Sequence, residues 1–375
     1  MSTARTRQVC RVLALVLSPV NTPRKQHTIQ VSAVACGLLT FMSQSNTRVA
    51  LAKRPTGEAT PDCFSLESEE IAPIEAGQVR VATEFISVDA GTRTMLRGEG
   101  FHMQVAIGET IRAHGVGRVT ESTVPEFEVG QAVRGRLGAQ TIATVEPGAL
   151  EAIDDALGPI SAYLGVLGGS TGVTAWIGVR QVCKPEPGDV FVVSAAAGAV
   201  GSIAGQIAKR DGAQVIGIAG GSVKCAYLTD TLGFDAAIDY KNEDVNERLG
   251  QLAPDGINLF YDNVGGPILD AALNNLAMRA KVVICGAISQ YDDMDNVVGP
   301  SLYLRLAERQ STMEGFAYFH FPERIPAAKA ELAEWLADGS LSLNEQILEG
   351  IESYPEALQF MFNGGNTGKL LVKAS

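Results

Sequence analysis

The fold of this chain is decided by residues 194–206, which read Ser194-Ala195-Ala196-Ala197-Gly198-Ala199-Val200-Gly201-Ser202-Ile203-Ala204-Gly205-Gln206. An apolar run at residues 189–193 precedes this stretch and a helical pattern at 203–209 continues it. On the pattern G-x-G-x-x-G, the glycine positions are Ala196, Gly198 and Gly201. Between a strand and a helix, Gly198 lets the backbone approach a pyrophosphate, and Gly201 lets the helix pack closely on the strand. The stretch therefore predicts a dinucleotide site whose phosphates bind the N–H groups at the helix start.

Strands and helices alternate along the rest of the C-terminal half. Apolar runs predict further strands at residues 214–219, 236–239, 257–261 and 280–285, with helices at 224–232 and 329–339. Unbroken apolar strands are typical of a sheet that is buried on both faces. The alternation therefore predicts an α/β domain with a doubly wound parallel sheet of the Rossmann type.

The N-terminal half has a different pattern. Short alternations of apolar and polar residues at 78–83, 115–119 and 131–135 are separated by glycine and proline. Many short strands with turn signals predict a β-rich, barrel-like domain. A last strand at residues 369–373 has no helix after it, and we expect it to return to this first domain.

The end of the second strand of the Rossmann pattern indicates which dinucleotide binds. An NAD site usually has Asp or Glu at this point, where it accepts a hydrogen bond from the ribose 2′-hydroxyl. Here the strand leads into Gly220 and Gly221, followed by the hydroxyl of Ser222 and the ammonium group of Lys224. These groups would attract a 2′-phosphate, and Tyr240 would face it after the third strand. The pattern favours NADP(H), with a solvated Lys224 on a helix surface as the alternative.

Composition and charge exclude several classes of protein. The chain has 375 residues, is 46% hydrophobic and carries a net charge of −12, so it is globular, with about two domains. The negative charge argues against binding to nucleic acid or to an anionic membrane. The six cysteines and four histidines lack the spacing of zinc ligands, so we expect no metal site built by the protein.

The first 45 residues differ from the rest. Five basic residues and no acidic residue occur there, whereas the following 330 residues carry 25 basic and 42 acidic residues. We interpret residues 1–45 as an extension that is disordered or translated from an early start codon. An organelle presequence or a structural role are the alternatives, because an Arg-rich segment with Ser and Thr but no acid is typical of targeting peptides.

Several segments together resemble the zinc-free medium-chain dehydrogenase/reductases. Within them the chain is similar to the NADP-dependent alkenal double-bond reductases, also known as prostaglandin reductases and curcumin reductases. The similarity covers residues 46–373. The matching segments are the turn at 195–201 and the segments 218–225, 234–241, 261–266, 285–291, 313–316 and 365–369.

The resemblance implies a GroES-like substrate domain at residues 46–169, an NADP-binding Rossmann domain at 170–343, and a return to the substrate domain at 344–375. It also implies cofactor contacts at the matching positions. These are Thr174 at the domain junction; Gly198, Ala199, Val200 and Gly201 at the pyrophosphate; Ser222, Lys224 and Tyr240 at the 2′-phosphate; Asn263 and Asn366 as hydrogen-bonding amides; Cys285, Gly286, Ala287, Ile288, Ser289, Gln290 and Tyr291 beside the nicotinamide; and Phe316, Ala317 and Tyr318 in the pocket wall.

The activity implied is NADPH-dependent reduction of the C=C bond of a small-molecule enal or enone. Tyr291 is the candidate catalytic residue, either orienting the ribose hydroxyl or relaying a proton; the alternative is an aromatic that packs on the cofactor. Other activities that remain open are a quinone reductase of the same fold, a hydroxyl dehydrogenase and a non-catalytic NADPH-binding protein. The resemblance further implies a homodimer, and we expect a cytoplasmic location.

The sequence departs from the family in two segments of the expected substrate wall. Residues 88–93 and 138–142 contain no aromatic side chain, although the family has aromatics in both. Zinc-dependent relatives carry Gly-His-Glu where this chain has Ala113-His114-Gly115. We therefore expect a zinc-free site with a wider or differently shaped substrate pocket.

Overall fold

The computed structural model describes residues 45–97 and 103–374. The extension expected at residues 1–45 lies outside the described residues except for Ser45, which begins the first strand. The strands are β1 (Ser45–Leu51), β2 (Phe64–Glu70), β3 (Val79–Ser87), β4 (Gly115–Ser122), β5 (Ala132–Gly135), β6 (Ile142–Val145), β7 (Leu150–Ala152), β8 (Val190–Ser194), β9 (Gln214–Ala219), β10 (Ala236–Asp239), β11 (Ile257–Asp262), β12 (Leu276–Ile284), β13 (Thr312–Gly315), β14 (Glu345–Glu349) and β15 (Lys369–Lys373).

The helices lie mainly between the later strands. They are α1 (Gly91–Met95), α2 (Thr174–Ile177), α3 (Ala199–Arg210), α4 (Ser222–Ala226), α5 (Val245–Leu252), α6 (Gly266–Asn274), α7 (Arg305–Glu308), α8 (Ile325–Ala337) and α9 (Tyr354–Phe362). π-Helical turns flank or extend some of them, at Gly169–Val173, Gly178–Cys183 and Tyr227–Thr231. Among the described residues, none of these helices is both long and apolar enough to span a bilayer.

Six strands form a parallel sheet in the order β10-β9-β8-β11-β12-β13. Its central strand β8 is almost wholly inaccessible to solvent, with Phe191, Val192 and Val193 fully buried. Helices connect successive strands, as parallel strands require. This is the doubly wound sheet that the apolar runs predicted.

The second sheet is mostly antiparallel and has the order β14-β15-β3-β4-β5-β7, with β6 also paired to β3. The last strand of the chain, β15, lies antiparallel to β3, with Leu371 opposite Ser87. The β1–β2 hairpin closes over this sheet through hydrogen bonds such as Val49 N–H to Ala139 O (2.9 Å). The predicted fold class, a Rossmann sheet plus a β-rich domain, is thus confirmed.

Close strand packing explains one glycine of the barrel. A Cβ atom on Gly117 in β4 would overlap the carbonyl oxygen of Ala82 in β3. The β3–β4 register shifts beside this point, between Thr83 and Phe85. A glycine is needed here because the two backbones approach more closely than any side chain allows.

Some element bounds differ from those predicted. The strand predicted at 280–285 begins earlier, at Leu276, because its first residues include the exposed Met278 and so lack an apolar pattern. The helix predicted at 224–232 is α4 followed by a π-helical turn, which a 3.6-residue period does not reveal. The helix predicted at 329–339 begins at Ile325, where Pro326 occupies the first turn, a position that tolerates proline.

Candidate functional site

The turn between β8 and α3 has the close approach that its glycines predict. A Cβ on Gly201 would overlap the carbonyl oxygen of Ala195 and would lie 2.9 Å from Cα of Ala196. Ala195 itself has a positive φ of 47° and accepts a hydrogen bond from the Gly198 N–H at 2.9 Å. Helix α3 therefore begins directly against the end of β8, and only glycine fits at position 201.

The start of α3 fits a dinucleotide pyrophosphate. The helix is 12 residues long and begins after Gly198 without a side-chain cap. The N–H groups of a first helical turn lack partners within their own helix, and they favour anions. In front of Gly198 there is open space, because a Cβ there would meet one atom within 4 Å, the Ala195 oxygen at 3.1 Å. Ala199, Val200 and Gly201 form this first turn.

The segment that precedes β15 lies against this turn. The Gly368 N–H donates a hydrogen bond to the Ala197 oxygen at 2.7 Å, and Gly198 and Gly368 form an isolated parallel bridge. The Asn366 side chain donates to the Gly368 oxygen at 3.0 Å, so its amide is held next to the turn. Asn366 is thereby brought to the predicted pyrophosphate site although it lies far away in the sequence.

Three further predicted residues gather at the carboxyl ends of β9 and β10. Lys224 Nζ donates to the Gly364 oxygen at 2.8 Å, and burial, followed by the charge of Lys241, lowers the pKa of Lys224. Ser222 is the first residue of α4, which follows β9 after Gly220 and Gly221. The Tyr240 ring packs on Gly220, where a Cβ would lie 2.8 Å from the ring. This end of the sheet is where an adenosine 2′-phosphate binds in a Rossmann fold.

Asn263 and the 285–291 loop lie at the carboxyl ends of β11 and β12. The Asn263 amide donates to the Ser194 oxygen at 2.8 Å, and its backbone N–H donates to Ser194 Oγ, also at 2.8 Å. The backbone N–H groups of Cys285 and Gly286 donate to the backbone carbonyl oxygen of Asp262 at 2.8 and 3.1 Å. Burial raises the pKa of the Cys285 thiol to about 12, so this thiol is protonated at neutral pH.

The rest of this loop folds back over the end of β11. The Ile288 N–H donates to the Asn263 oxygen at 3.1 Å, and Ser289 Oγ donates to the Val264 oxygen at 2.6 Å. Ile288, Ser289 and Gln290 form a 3-10 turn. The seven predicted loop residues therefore act as one structured unit at the sheet edge.

Tyr291 closes the loop onto its own start. Its hydroxyl oxygen accepts a hydrogen bond from the Ala287 N–H at 3.2 Å, and a Cβ on Gly286 would lie 3.2 Å from the same oxygen. Burial raises the pKa of Tyr291. The hydroxyl thus stays protonated at neutral pH and has its own hydrogen to donate, because the bond to Ala287 uses an oxygen lone pair.

Phe316, Ala317, Tyr318 and Thr174 lie beside the same edge, after β13 and at the start of α2. The Phe316 ring packs against Tyr261 with ring centroids 6.2 Å apart. Tyr318 packs on Gly169, where a Cβ would lie 2.9 Å from the ring. Thr174 Oγ donates to the Gly169 oxygen at 2.8 Å, so its hydroxyl is engaged within its own helical segment.

Sequence reasoning missed Asp262, which connects the three central strands. Its buried carboxylate accepts hydrogen bonds from Ser194 Oγ (2.8 Å) and from the N–H groups of Val264 and Gly265 (both 3.0 Å). Burial raises the pKa of Asp262 despite these bonds. An acidic residue at the end of an apolar strand was the available signal, since such a buried carboxylate needs several donors.

Sequence reasoning also missed Arg93, which joins the barrel to the 285–291 loop. This side chain is 1% exposed, and its Nε donates to Asp292 Oδ1 at 2.9 Å. Its Nη2 donates to the backbone oxygens of Asp292, at 2.9 Å, and of Gly57. Asp292 follows Tyr291 directly, so Arg93 holds the candidate catalytic loop to the other sheet.

The predicted residues thus form three groups at the carboxyl ends of the parallel strands. The group on β9 and β10 suits a phosphate, the α3 turn at β8 suits a pyrophosphate, and the loops after β11, β12 and β13 bring Asn263, Tyr291 and Phe316 to the same end of the sheet. An extended dinucleotide crosses a Rossmann sheet in this order. No group of three His, Cys, Asp or Glu side chains in the described ranges is arranged to hold a metal ion.

Comparisons with known proteins identify the family of this chain. Residues 47–153 match the family described as the N-terminal domain of oxidoreductase, and residues 199–334 match the family described as zinc-binding dehydrogenase. The NADPH-dependent curcumin reductase of Escherichia coli is 33% identical over 88% of this chain and 98% of its own length. The 2-alkenal reductase (NADP(+)-dependent) of Nicotiana tabacum is 35% identical, with the same coverage.

A solved structure gives the same assignment. CurA from Vibrio vulnificus in complex with NADPH has a TM-score of 0.83 and 35% identity, covering 88% of this chain and 99% of its own. The chain therefore belongs to the medium-chain dehydrogenase/reductase family, in the NADP-dependent branch that includes curcumin, alkenal and prostaglandin reductases.

Proposed function

We propose that this enzyme reduces the C=C bond of α,β-unsaturated aldehydes or ketones and that its cofactor is NADP(H). The observation that supports this most directly is the order of three groups of residues at the carboxyl ends of the parallel strands. They follow one another in the order of the 2′-phosphate, the pyrophosphate and the nicotinamide of NADPH. Similarity to the curcumin reductase and to the 2-alkenal reductase supports the substrate class. NADPH held at the carboxyl ends of these strands would supply the hydride for the β-carbon of the substrate.

The residues of the chain then have separate tasks. The α3 turn and Asn366 bind the pyrophosphate, and Ser222, Lys224 and Tyr240 bind the 2′-phosphate. Asn263 and the 285–291 loop orient the nicotinamide end, with Thr174, Phe316, Ala317 and Tyr318 enclosing it. Binding, orientation and exclusion of water are what a protein contributes when the cofactor carries the chemistry.

Tyr291 is proposed as the catalytic hydroxyl. Reduction of an enal or enone would place negative charge on the carbonyl oxygen of the substrate and would require a proton at the α-carbon. The raised pKa of Tyr291 keeps its hydroxyl protonated, so it donates a hydrogen bond to the cofactor ribose or relays the proton. It does not act as a base at neutral pH.

The test is NADPH oxidation with 2-alkenals, enones and quinones in parallel. We expect turnover of alkenals or enones and, with NADPH deuterated at C4, deuterium at the β-carbon of the saturated product. Quinone turnover alone would identify a quinone reductase, and an alcohol product would identify a hydroxyl dehydrogenase. Binding of NADPH without turnover of any substrate would indicate a non-catalytic protein.

Tyr291→Phe tests the assigned role. We expect kcat to fall about 10²–10⁴-fold, the range of general acid–base catalysis, with little change in the Kd of NADPH. Tyr303→Phe is the matched control, because Tyr303 is 58% exposed and outside the proposed site. Unchanged kcat in Tyr291→Phe would assign the ring to cofactor packing instead.

A homodimer is also proposed, formed through the edge of the parallel sheet. All four residues of β13 are exposed, and no strand in the described part of the chain lies beyond it. An exposed sheet edge favours pairing with another chain. Light scattering after gel filtration should give twice the chain mass, and Met313→Pro should shift it toward the monomer. A monomeric wild-type protein would contradict this.

The domain division is proposed as residues 46–169 with 344–375 for the substrate domain and 170–343 for the NADP-binding domain. A cytoplasmic location is proposed as well, and imaging of the tagged full-length chain in its native cells tests it. Localisation to an organelle would contradict this and would give the basic residues 1–45 a targeting role.

A further inference from the structure

We propose that Lys241 is a second cationic ligand of the cofactor 2′-phosphate, beside Lys224, and thus a residue that determines the preference for NADP(H) over NAD(H). This rests on the cofactor of the proposed function but not on its substrate. Sequence reasoning placed Ser222, Lys224 and Tyr240 at this phosphate, and Lys241 was not among the predicted residues.

Two observations place Lys241 beside the turn after β9. Its backbone N–H donates to Asp239 Oδ1 at 3.1 Å, which holds the backbone at the end of β10. The side chain runs back over the turn after β9, since a Cβ on Gly220 would lie 3.0 Å from Lys241 Cε. The Tyr240 ring covers the same glycine, with a distance of 2.8 Å from that Cβ position.

Lys224 lies near the same Tyr240 side chain, through Gly364. Its ammonium group donates to the Gly364 oxygen at 2.8 Å, and a Cβ on Gly364 would lie 3.8 Å from the Tyr240 hydroxyl. The charge of Lys241 lowers the pKa of Lys224, after the larger effect of burial. Both lysine side chains therefore lie near Tyr240, Lys241 over Gly220 and Lys224 at Gly364, and their positive charges disfavour each other.

Neither ammonium group forms an ion pair with an acid in the described parts of the chain. The carboxylate of Asp239, at the end of β10, accepts hydrogen bonds from the Gly221 N–H (2.7 Å), the Asn242 amide (2.7 Å) and the Lys241 N–H. These donors, together with the charge of Lys241, hold the pKa of Asp239 below its usual value. The next acid, Glu243, pairs with Arg248 at 2.8 Å.

Two positive charges that disfavour each other, and of which neither is in an ion pair, are stabilised when a dianionic group binds between them. A phosphate between Lys224 and Lys241 would replace their repulsion with two attractions. The same arrangement explains how a site with an acid at the end of β10 accepts a phosphate, because the Asp239 carboxylate is turned toward backbone N–H groups.

The test compares wild-type protein with Lys241→Gln, Lys224→Gln and Lys241→Arg. The matched control is Lys209→Gln, because Lys209 pairs with Asp235 at 3.0 Å instead of facing this turn. Dissociation constants are measured by fluorescence or calorimetry for NADPH, NADH, 2′,5′-ADP and 5′-ADP, so the readout is independent of turnover. Melting temperatures show that every variant is folded.

We expect Lys241→Gln to weaken NADPH and 2′,5′-ADP about tenfold or more, as for the loss of a charge-assisted contact, and NADH and 5′-ADP less than about twofold. Lys241→Arg should retain most of the affinity. Unchanged NADPH binding in Lys241→Gln, or equal losses for NADPH and NADH, would overturn the proposal. A wild-type protein that binds NADPH but reduces no enal would refute the proposed substrate and leave this test valid.

Discussion

The two glycines of the α3 turn should respond differently to alanine, because one is needed for packing and the other for the cofactor. A Cβ on Gly201 overlaps a carbonyl oxygen and lies 2.9 Å from a Cα atom, and neither neighbour is a flexible side chain. Overpacking of a buried site costs about 1–3 kcal/mol, and the rigid backbone contact places Gly201→Ala at about 3 kcal/mol. That corresponds to a fall in Tm of about 6–12 °C.

Gly198→Ala should leave the fold nearly unchanged. Its φ is −83°, which alanine adopts freely, and the Cβ would meet one atom at 3.1 Å. The reduced entropy of the unfolded chain offsets that contact by about 0.4–1 kcal/mol, so we expect a Tm within about 2 °C of wild type. The new methyl group occupies the space in front of the helix start, and NADPH should bind at least about tenfold more weakly.

The assay is a thermal melt and an NADPH fluorescence titration on both variants. The assignment would be wrong if Gly198→Ala lost stability as much as Gly201→Ala. It would also be wrong if Gly201→Ala kept its Tm and lost NADPH affinity, because position 201 would then belong to the binding surface.

Three other perturbations have defined outcomes. Arg93→Gln removes a buried guanidinium that holds Asp292, and we expect the free energy of unfolding in urea to fall by about 2–3 kcal/mol. In the control Arg97→Gln it should fall by less than about 1 kcal/mol, because the partner of Arg97, Asp295, is 83% exposed. Equal losses in the two variants would refute this difference. Iodoacetamide at pH 8 should leave the Cys285 peptide unmodified in the folded protein and alkylate it in urea, because burial raises the pKa of that thiol to about 12. Since burial raises the pKa of Tyr291, kcat should not fall at alkaline pH with a midpoint below about 10. A fall with a midpoint near 8 would contradict a catalytic Tyr291 hydroxyl that stays protonated.

Local patterns in the sequence were enough for the fold class. The apolar run before Ser194, the glycines of the turn and the following helix are contiguous, so their meaning depends on neighbours in the chain. The absence of an acid after β9 and the presence of Lys224 are local in the same sense. The start of β12 was not predicted, because exposed residues such as Met278 interrupt its apolar pattern.

The tertiary structure decided which distant residues meet. Gly368 contacts the α3 turn, Arg93 holds the residue after Tyr291, and Lys224 contacts Gly364. Such contacts depend on the order of strands in the sheets and on the return of β15 to β3, which no local period expresses. The sequence by itself therefore determined the elements and the kind of cofactor, because helix, strand and turn preferences act over a few residues. Only the tertiary structure decided how the phosphate site and the Tyr291 loop are completed, because their remaining partners lie far apart in the chain.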